Sequence, residues 1–201
     1  MQGDGVKLIE YARLMKKVHL ISEAAGKGSI SLKVDDDHIL MSPSKLPYET
    51  LGAEQLNTMN VTGDYSMKNS PASRDSSFHA AIYRNRSDVG AVVHTHSPYA
   101  TALALAGKSI PLITLGMFFH LNGAVAIAPF AGPKDPRLQG LVVEYLGKSN
   151  AVLLQNHGVV CVGKNIEICY ENAVFMEDLC KSYVHALQIG AVNEIQPELE
   201  E

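Results

Sequence analysis

The sequence predicts an α/β fold in a single domain, and three observations carry that expectation. Apolar residues recur with helical spacing in some stretches and alternate in others, so helices and strands interleave along the chain. The chain has 201 residues, 46% of them hydrophobic, enough for one sizeable core. Composition is even, with no repeat and no low-complexity linker. We therefore expect one domain over residues 1–190 and an acidic tail, 191–201, that contains "NEIQPELEE" and is expected to fray.

Leu8, Ile9, Ala12, Leu14, Met15, Val18, Leu20 and Ile21 form a helical stripe within Val6 to Ala25, with Gly26 and Gly28 as its expected stop. "SISLKV" alternates as a strand, "DDD" reads as a turn, and "HILMS" is the returning strand of a hairpin. "SPSKLPYETL" carries two prolines and reads as a loop, and "GDYSMKNSP" belongs to a region of turns and short strands. "SSFHAAIYRNR" is a helix with Ser76 or Ser77 as its expected cap, and "VGAVVHTH" is a strand entering the centre of a sheet. Ser97-Pro98 starts the next helix, because serine can cap and proline at the first helical position has no amide to leave unpaired; that helix should reach about Ala106. After "SIPLIT" follow "AVAIAPF" as a strand, "DPRLQGLVVEYLG" as a helix, and "AVLLQNHGVVCVG" as two strands about a tight Asn-His-Gly turn. A long helix from Asn165 to about Gly190 ends the domain.

Charge and composition exclude several functions. A net charge of −4 offers no basic field for a phosphodiester backbone or an anionic membrane surface, so neither nucleic acid nor membrane is an expected partner. No apolar stretch reaches the ~20 residues that span a bilayer, and the start "MQGDGVKLIEYARLMKK" lacks the pattern of a signal peptide. A soluble, cytoplasmic protein is expected. Cys161, Cys169 and Cys180 show no CxxC spacing, so they read as buried and reduced, and any metal must be held by histidines and carboxylates.

His94 and His96 are two apart on a strand, hence on one face, near enough to share an ion. Histidines closing a strand also often satisfy only local hydrogen bonds, and the pair alone leaves both readings open. His157, in the turn "QNHGVV", would join them if its hairpin lay beside the His94 strand, leaving open coordination positions as in a catalytic zinc site. The helix starting at Pro98 would then turn its amide end toward the same place, favouring an anionic substrate group. His19 and His185 sit on expected helices, His38 borders a turn, His79 lies in the "FHAAIY" helix, and His120 in "GMFFHLNG" is either a pocket residue or a further ligand.

"GSISLK", "MSPSKLPYE", "SSFHAAIY", "GAVVHTH" and "LLQNHG", in this order, resemble the class II aldolase/adducin family over Leu8 to Ile189. The resemblance implies a central, mainly antiparallel sheet flanked by helices on both sides, with His94, His96 and His157 as ligands of Zn2+, though three imidazoles also accept manganese, cobalt or nickel. It matches the family's catalytic carboxylate to Asp75 in "NSPASRDSSFH", as general base and acid beside a metal-stabilised enediolate. Taken by itself, Asp75 before Ser-Ser reads first as a helix cap. Phosphate binding maps to Gly28, Ser29, Ser44 and Ser73, where small residues let backbone approach an oxyanion.

The chain also departs from the family pattern. Ser29 stands for a usual asparagine, Lys45 for glycine and Arg74 for serine, and the two cations either bind the substrate's anionic end or are solvated loop charges. No tyrosine follows "SIP", and the family's "PYA" is "PFA" here, so His120 is the candidate replacement for the acid on the leaving oxygen. The resemblance implies a zinc-dependent aldolase for a small hydroxy-ketone, a ketose phosphate such as fuculose 1-phosphate, working as a homotetramer with active sites between subunits. Pentulose-phosphate 4-epimerisation is the alternative, which Asp75 favours and the short C-terminal segment disfavours; a sugar-phosphate dehydratase or decarboxylase is another. An adducin-like scaffold without catalysis would be expected to lack the ligand set.

Overall fold

The computed structural model describes residues 2–21, 28–44, 46–62, 65–66 and 73–196. The described strands form one eight-stranded sheet in the order β4-β3-β2-β1-β5-β8-β7-β6. In chain order they are β1 (Ser29–Lys33), β2 (His38–Met41), β3 (Asn57–Asn60), β4 (Tyr65–Ser66), β5 (Ala91–Thr95), β6 (Ile127–Ala128), β7 (Ala151–Leu154) and β8 (Gly158–Gly163). All pairings are antiparallel except β6 with β7. The helices are α1 (Gln2–Lys17), α2 (Ser76–Asn85), α3 (Pro98–Leu105), α4 (Gly116–His120), α5 (Leu138–Leu146) and α6 (Ile166–Ile189).

Alternation along the central strands builds two cores. Val93, Val159 and Cys161 face one layer, which holds the apolar stripes of α1, α3, α4 and α6. Val92, Val160 and Val162 face the other, where α2 and α5 pack. Helices thus cover both sides of a mainly antiparallel sheet, the predicted α/β architecture. Cys161, Cys169 and Cys180 are free and buried. Among the described residues, no helix is long and apolar enough to cross a membrane.

Several elements differ from the sequence expectation. Helix α1 stops at Lys17, well before the glycines: His19 adopts φ 61°, its N–H bonds the Lys16 carbonyl, and the Leu20 N–H reaches back to Met15. This is a Schellman ending with histidine in the position usually given to glycine, and burial of Leu20 and Ile21 outweighs the cost of the left-handed residue. The "AVAIAPF" strand is short, with Ile127 and Ala128 in register with Leu153 and Leu154 of β7. Helix α4 carries no apolar periodicity long enough to announce it, and forms because Met117 and Leu121 plug the core. The tail is tied at its start, since the Ile195 N–H donates to the Leu112 carbonyl at 2.7 Å. Helix α6 matches its expected limits, with the Asn165 side chain accepting the Ile168 amide as its cap.

Candidate active site

Strand β5 is fifth of the eight, and its neighbour β8 begins at the tight turn that carries His157. The register Thr95 to Val159 brings that turn beside the end of β5. Asn156, at φ 58°, shapes the turn, and its N–H is held by the Ala104 carbonyl at the end of α3. As a result, Nε2 of His94 lies 3.0 Å from Nε2 of His96 and 3.3 Å from Nε2 of His157. Among the described residues these three are a group able to hold a metal ion.

The donor set fits such an ion. Four ligands on a tetrahedral metal with bonds of ~2.0 Å stand about 3.3 Å apart, close to the spacing here. Nδ1 of His94 donates to the Val159 carbonyl at 2.9 Å, which leaves its Nε2 lone pair aimed at the centre of the group. Burial pushes the His94 imidazole down to about 3 and lowers His157 as well, so both rings are neutral, as ligands must be. His94 is fully buried while His96 and His157 are half-buried, so the group opens toward solvent on one side.

Two glycines make room for this. A Cβ on Gly158 would collide with the Thr95 carbonyl and lie 2.8 Å from Cδ2 of His96. Gly28 adopts φ 65°, and a Cβ there would collide with the His94 carbonyl. The chain enters β1 at that point, so Ser29 pairs with His94 in the sheet.

Asp75 occupies the cap position of α2, where neither expected serine sits, yet its side chain caps no amide. Its Oδ2 instead accepts the Ser29 hydroxyl at 2.8 Å and the Ser73 hydroxyl at 3.3 Å. Burial alone would raise its pKa; the imidazoles of His94 and His79 and the Ser29 hydrogen bond outweigh burial and hold the carboxyl below the usual range. A carboxylate kept ionised beside a group of metal-binding imidazoles can accept a proton from a substrate held between them.

Of the residues matched to phosphate binding, Gly28, Ser29 and Ser73 come together around Asp75. The Ser29 hydroxyl is buried and committed to Asp75, so it reaches the carboxylate and not an open pocket. Ser44 is half-buried in the turn after β2, Arg74 is exposed beside Asp75, and Lys45 lies outside the described residues. His120 is not brought to the histidine group within the chain. Its ring stacks on Phe175 of α6, 4.5 Å between centroids, among helices of the layer that packs against Val93.

The start of α3 departs from expectation in the same way. Ser97 makes no side-chain cap; the amides of Tyr99 and Ala100 donate to Oε1 and Oε2 of Glu177 at 2.8 and 2.9 Å. A carboxylate of the protein itself takes the place expected for a substrate anion. Sequence reasoning missed Glu177, and it also missed His79, which is fully buried between Ser29 and Ser31. A signal for His79 existed: Asp75, His79 and Tyr83 recur every four residues on one face of α2, opposite Ser29 and Ser31 on one face of β1.

The sequence profile of the Class II Aldolase and Adducin N-terminal domain matches residues 6–184. The chain is 34% identical over 159 residues to a 3-oxo-tetronate 4-phosphate decarboxylase of Pectobacterium atrosepticum, covering 77% of this chain and 72% of that protein. It is 30% identical over 190 residues to a 5-methylthioribulose-1-phosphate/5-deoxyribulose-1-phosphate aldolase of Rhodospirillum rubrum, covering 94% and 84%. Among solved structures, an L-fuculose 1-phosphate aldolase superimposes with a TM-score of 0.91 at 22% identity, covering 98% of this chain and 92% of that one; this similarity is one of fold.

Proposed function

The chain belongs to the class II aldolase and adducin N-terminal domain family, and from that premise we propose a zinc-dependent lyase that cleaves or forms a small phosphorylated hydroxy-ketone by aldol chemistry. The observation that carries this reading is the convergence of His94, His96 and His157 beside an ionised Asp75. When bound, a divalent ion supplies the positive charge that offsets a developing enediolate. The remaining work falls to the chain. His94, His96 and His157 hold the ion, with His94 fixed by Val159. Asp75 accepts the substrate proton and returns it. Ser73 and Ser29 orient Oδ2 of Asp75. The phosphate end is assigned to the backbone at Gly28 and to Ser44, Lys45 and Arg74.

A second reading is decarboxylation of a β-keto acid phosphate, and two observations favour it. The relative with 34% identity carries that activity in its name. Within the chain His120 is turned to Phe175, and loss of carbon dioxide needs no group to exchange a proton with an aldehyde oxygen, as aldol cleavage and addition do. Homotetrameric assembly, with His120 or another group reaching a neighbour's site, and a cytoplasmic location remain part of the proposal. The epimerase reading rests only on aspartate at position 75, and the scaffold reading is set aside because ligand set and carboxylate are intact.

The test is a panel of ketose 1-phosphates, pentulose 5-phosphates and 3-oxo-tetronate 4-phosphate, followed by NMR with zinc and after chelation. Chelator-sensitive release of dihydroxyacetone phosphate with an aldehyde supports the aldolase; release with carbon dioxide supports the decarboxylase. A His94→Ala variant that keeps full activity and metal content would overturn both.

A further inference from the structure

Behind Asp75 and Ser29 runs a buried chain of hydrogen bonds whose further members have no part in the reaction proposed above. Ser29 Oγ lies 2.8 Å from Asp75 Oδ2 and 2.9 Å from Nε2 of His79. Nδ1 of His79 lies 2.7 Å from Ser31 Oγ, which is 2.9 Å from the Tyr83 hydroxyl. Ser29, Ser31, His79 and Tyr83 are all buried, so no solvent competes for these bonds.

Counting protons gives the chain one direction. An ionised carboxylate only accepts, so the single Ser29 proton goes to Asp75, and Ser29 must receive its other bond from Nε2–H of His79. Burial holds His79 neutral by lowering its pKa to about 4, so Nδ1 carries no proton and accepts from Ser31. Ser31, having spent its proton, accepts from Tyr83. Oδ2 is thereby occupied by the Ser29 and Ser73 hydroxyls, while Oδ1 accepts no hydrogen bond among the described residues.

We propose that His79 is a positioning residue for the reaction: its Nε2–H turns the Ser29 hydroxyl onto Oδ2 of Asp75 and so leaves Oδ1 as the oxygen that moves the substrate proton. The ring acts through Ser29 and touches no substrate. This inference rests on the reading of Asp75 as the acid and base, and its test separates the two.

Two measurements on the full chain decide it. Long-range proton–nitrogen NMR of the histidine-labelled, metal-free protein near neutral pH should show His79, identified by its loss in His79→Gln, as the Nε2–H tautomer. The Nδ1–H tautomer or an even mixture overturns the proposal. The second measurement is exchange of the carbon-bound proton beside the ketone of dihydroxyacetone phosphate, with the zinc-loaded enzyme in heavy water. That half-reaction removes one proton from carbon and returns a deuteron from solvent, so it needs no further reactant. His79→Leu should slow exchange about 10- to 100-fold with zinc content and KM unchanged, and His79→Gln, whose amide still donates toward Ser29, should recover to within about threefold of wild type. Equal rates in the Leu and Gln variants, or a loss confined to KM or to zinc content, overturn it. If His79→Leu does not fold, Ser31→Ala takes its place: freeing Nδ1 should let the second tautomer appear and slow exchange, and an unchanged tautomer and rate overturn the proposal. No exchange by the wild type would count against the functional reading, leaving the tautomer to decide on His79.

Discussion

At the scale of single residues, the site is governed by how little space separates backbone from imidazole. Gly158 sits where a methyl group would strike the Thr95 carbonyl and press on His96. Gly158→Ala is expected to push His96 out of line, cost about 1–3 kcal/mol, and weaken zinc binding at least ~10-fold. Calorimetric zinc titration checks this, and wild-type affinity in the variant would show that the strand shifts as a unit. The histidine pair and the asparagine-histidine-glycine turn were legible because period-2 alternation is a property of the local chain. The His79 bonds were not, because a buried histidine between two serines is a fact about strand β1 meeting helix α2 in space.

At the scale of elements, α3 shows how a helix end can be satisfied from far along the chain. Its proline at the first position was readable from the sequence, but its cap comes from Glu177, 77 and 78 residues from the amides it accepts. This fastens α3 to α6 just after the histidine pair. Glu177→Ala should lower stability by about 1 kcal/mol, the usual worth of a cap, with Glu177→Gln losing less. Thermal denaturation of the two variants measures it; an unchanged midpoint in the alanine variant would mean water replaces the carboxylate. Helix α1 teaches the same lesson in reverse, since its stop at His19 is set by burial of Leu20 and Ile21 and not by the glycines that follow.

At the scale of the whole molecule, the two-layer packing buries His79 and His94 as neutral rings and so makes stability depend on pH. The folded pKa of His79, about 4, lies below its unfolded value of about 6.5. The unfolded chain therefore takes up this proton first as pH falls. Its contribution is whole above about 6.5 and is lost between there and about 4, up to roughly 3 kcal/mol. Denaturant titrations of the metal-free protein over this range should show falling stability, and His79→Gln should show a shallower fall. Parallel curves would mean that His79 titrates in the folded state as it does in the unfolded one.

The sequence by itself determined the alternation of helices and strands, the central place of the HxH strand, the limits of α6 and the presence of three imidazoles and a carboxylate in family order. Those follow from local periodicity, turn chemistry and motif order, which a chain carries before it folds. Only the tertiary structure decided that Asp75 turns away from its helix to Ser29, that Glu177 takes the amides meant for a substrate anion, that His120 rests on Phe175, and that His79 stands behind the carboxylate. Each of these is a hydrogen bond or ring contact between residues distant in sequence, and its partner is chosen by how the sheet and helices pack.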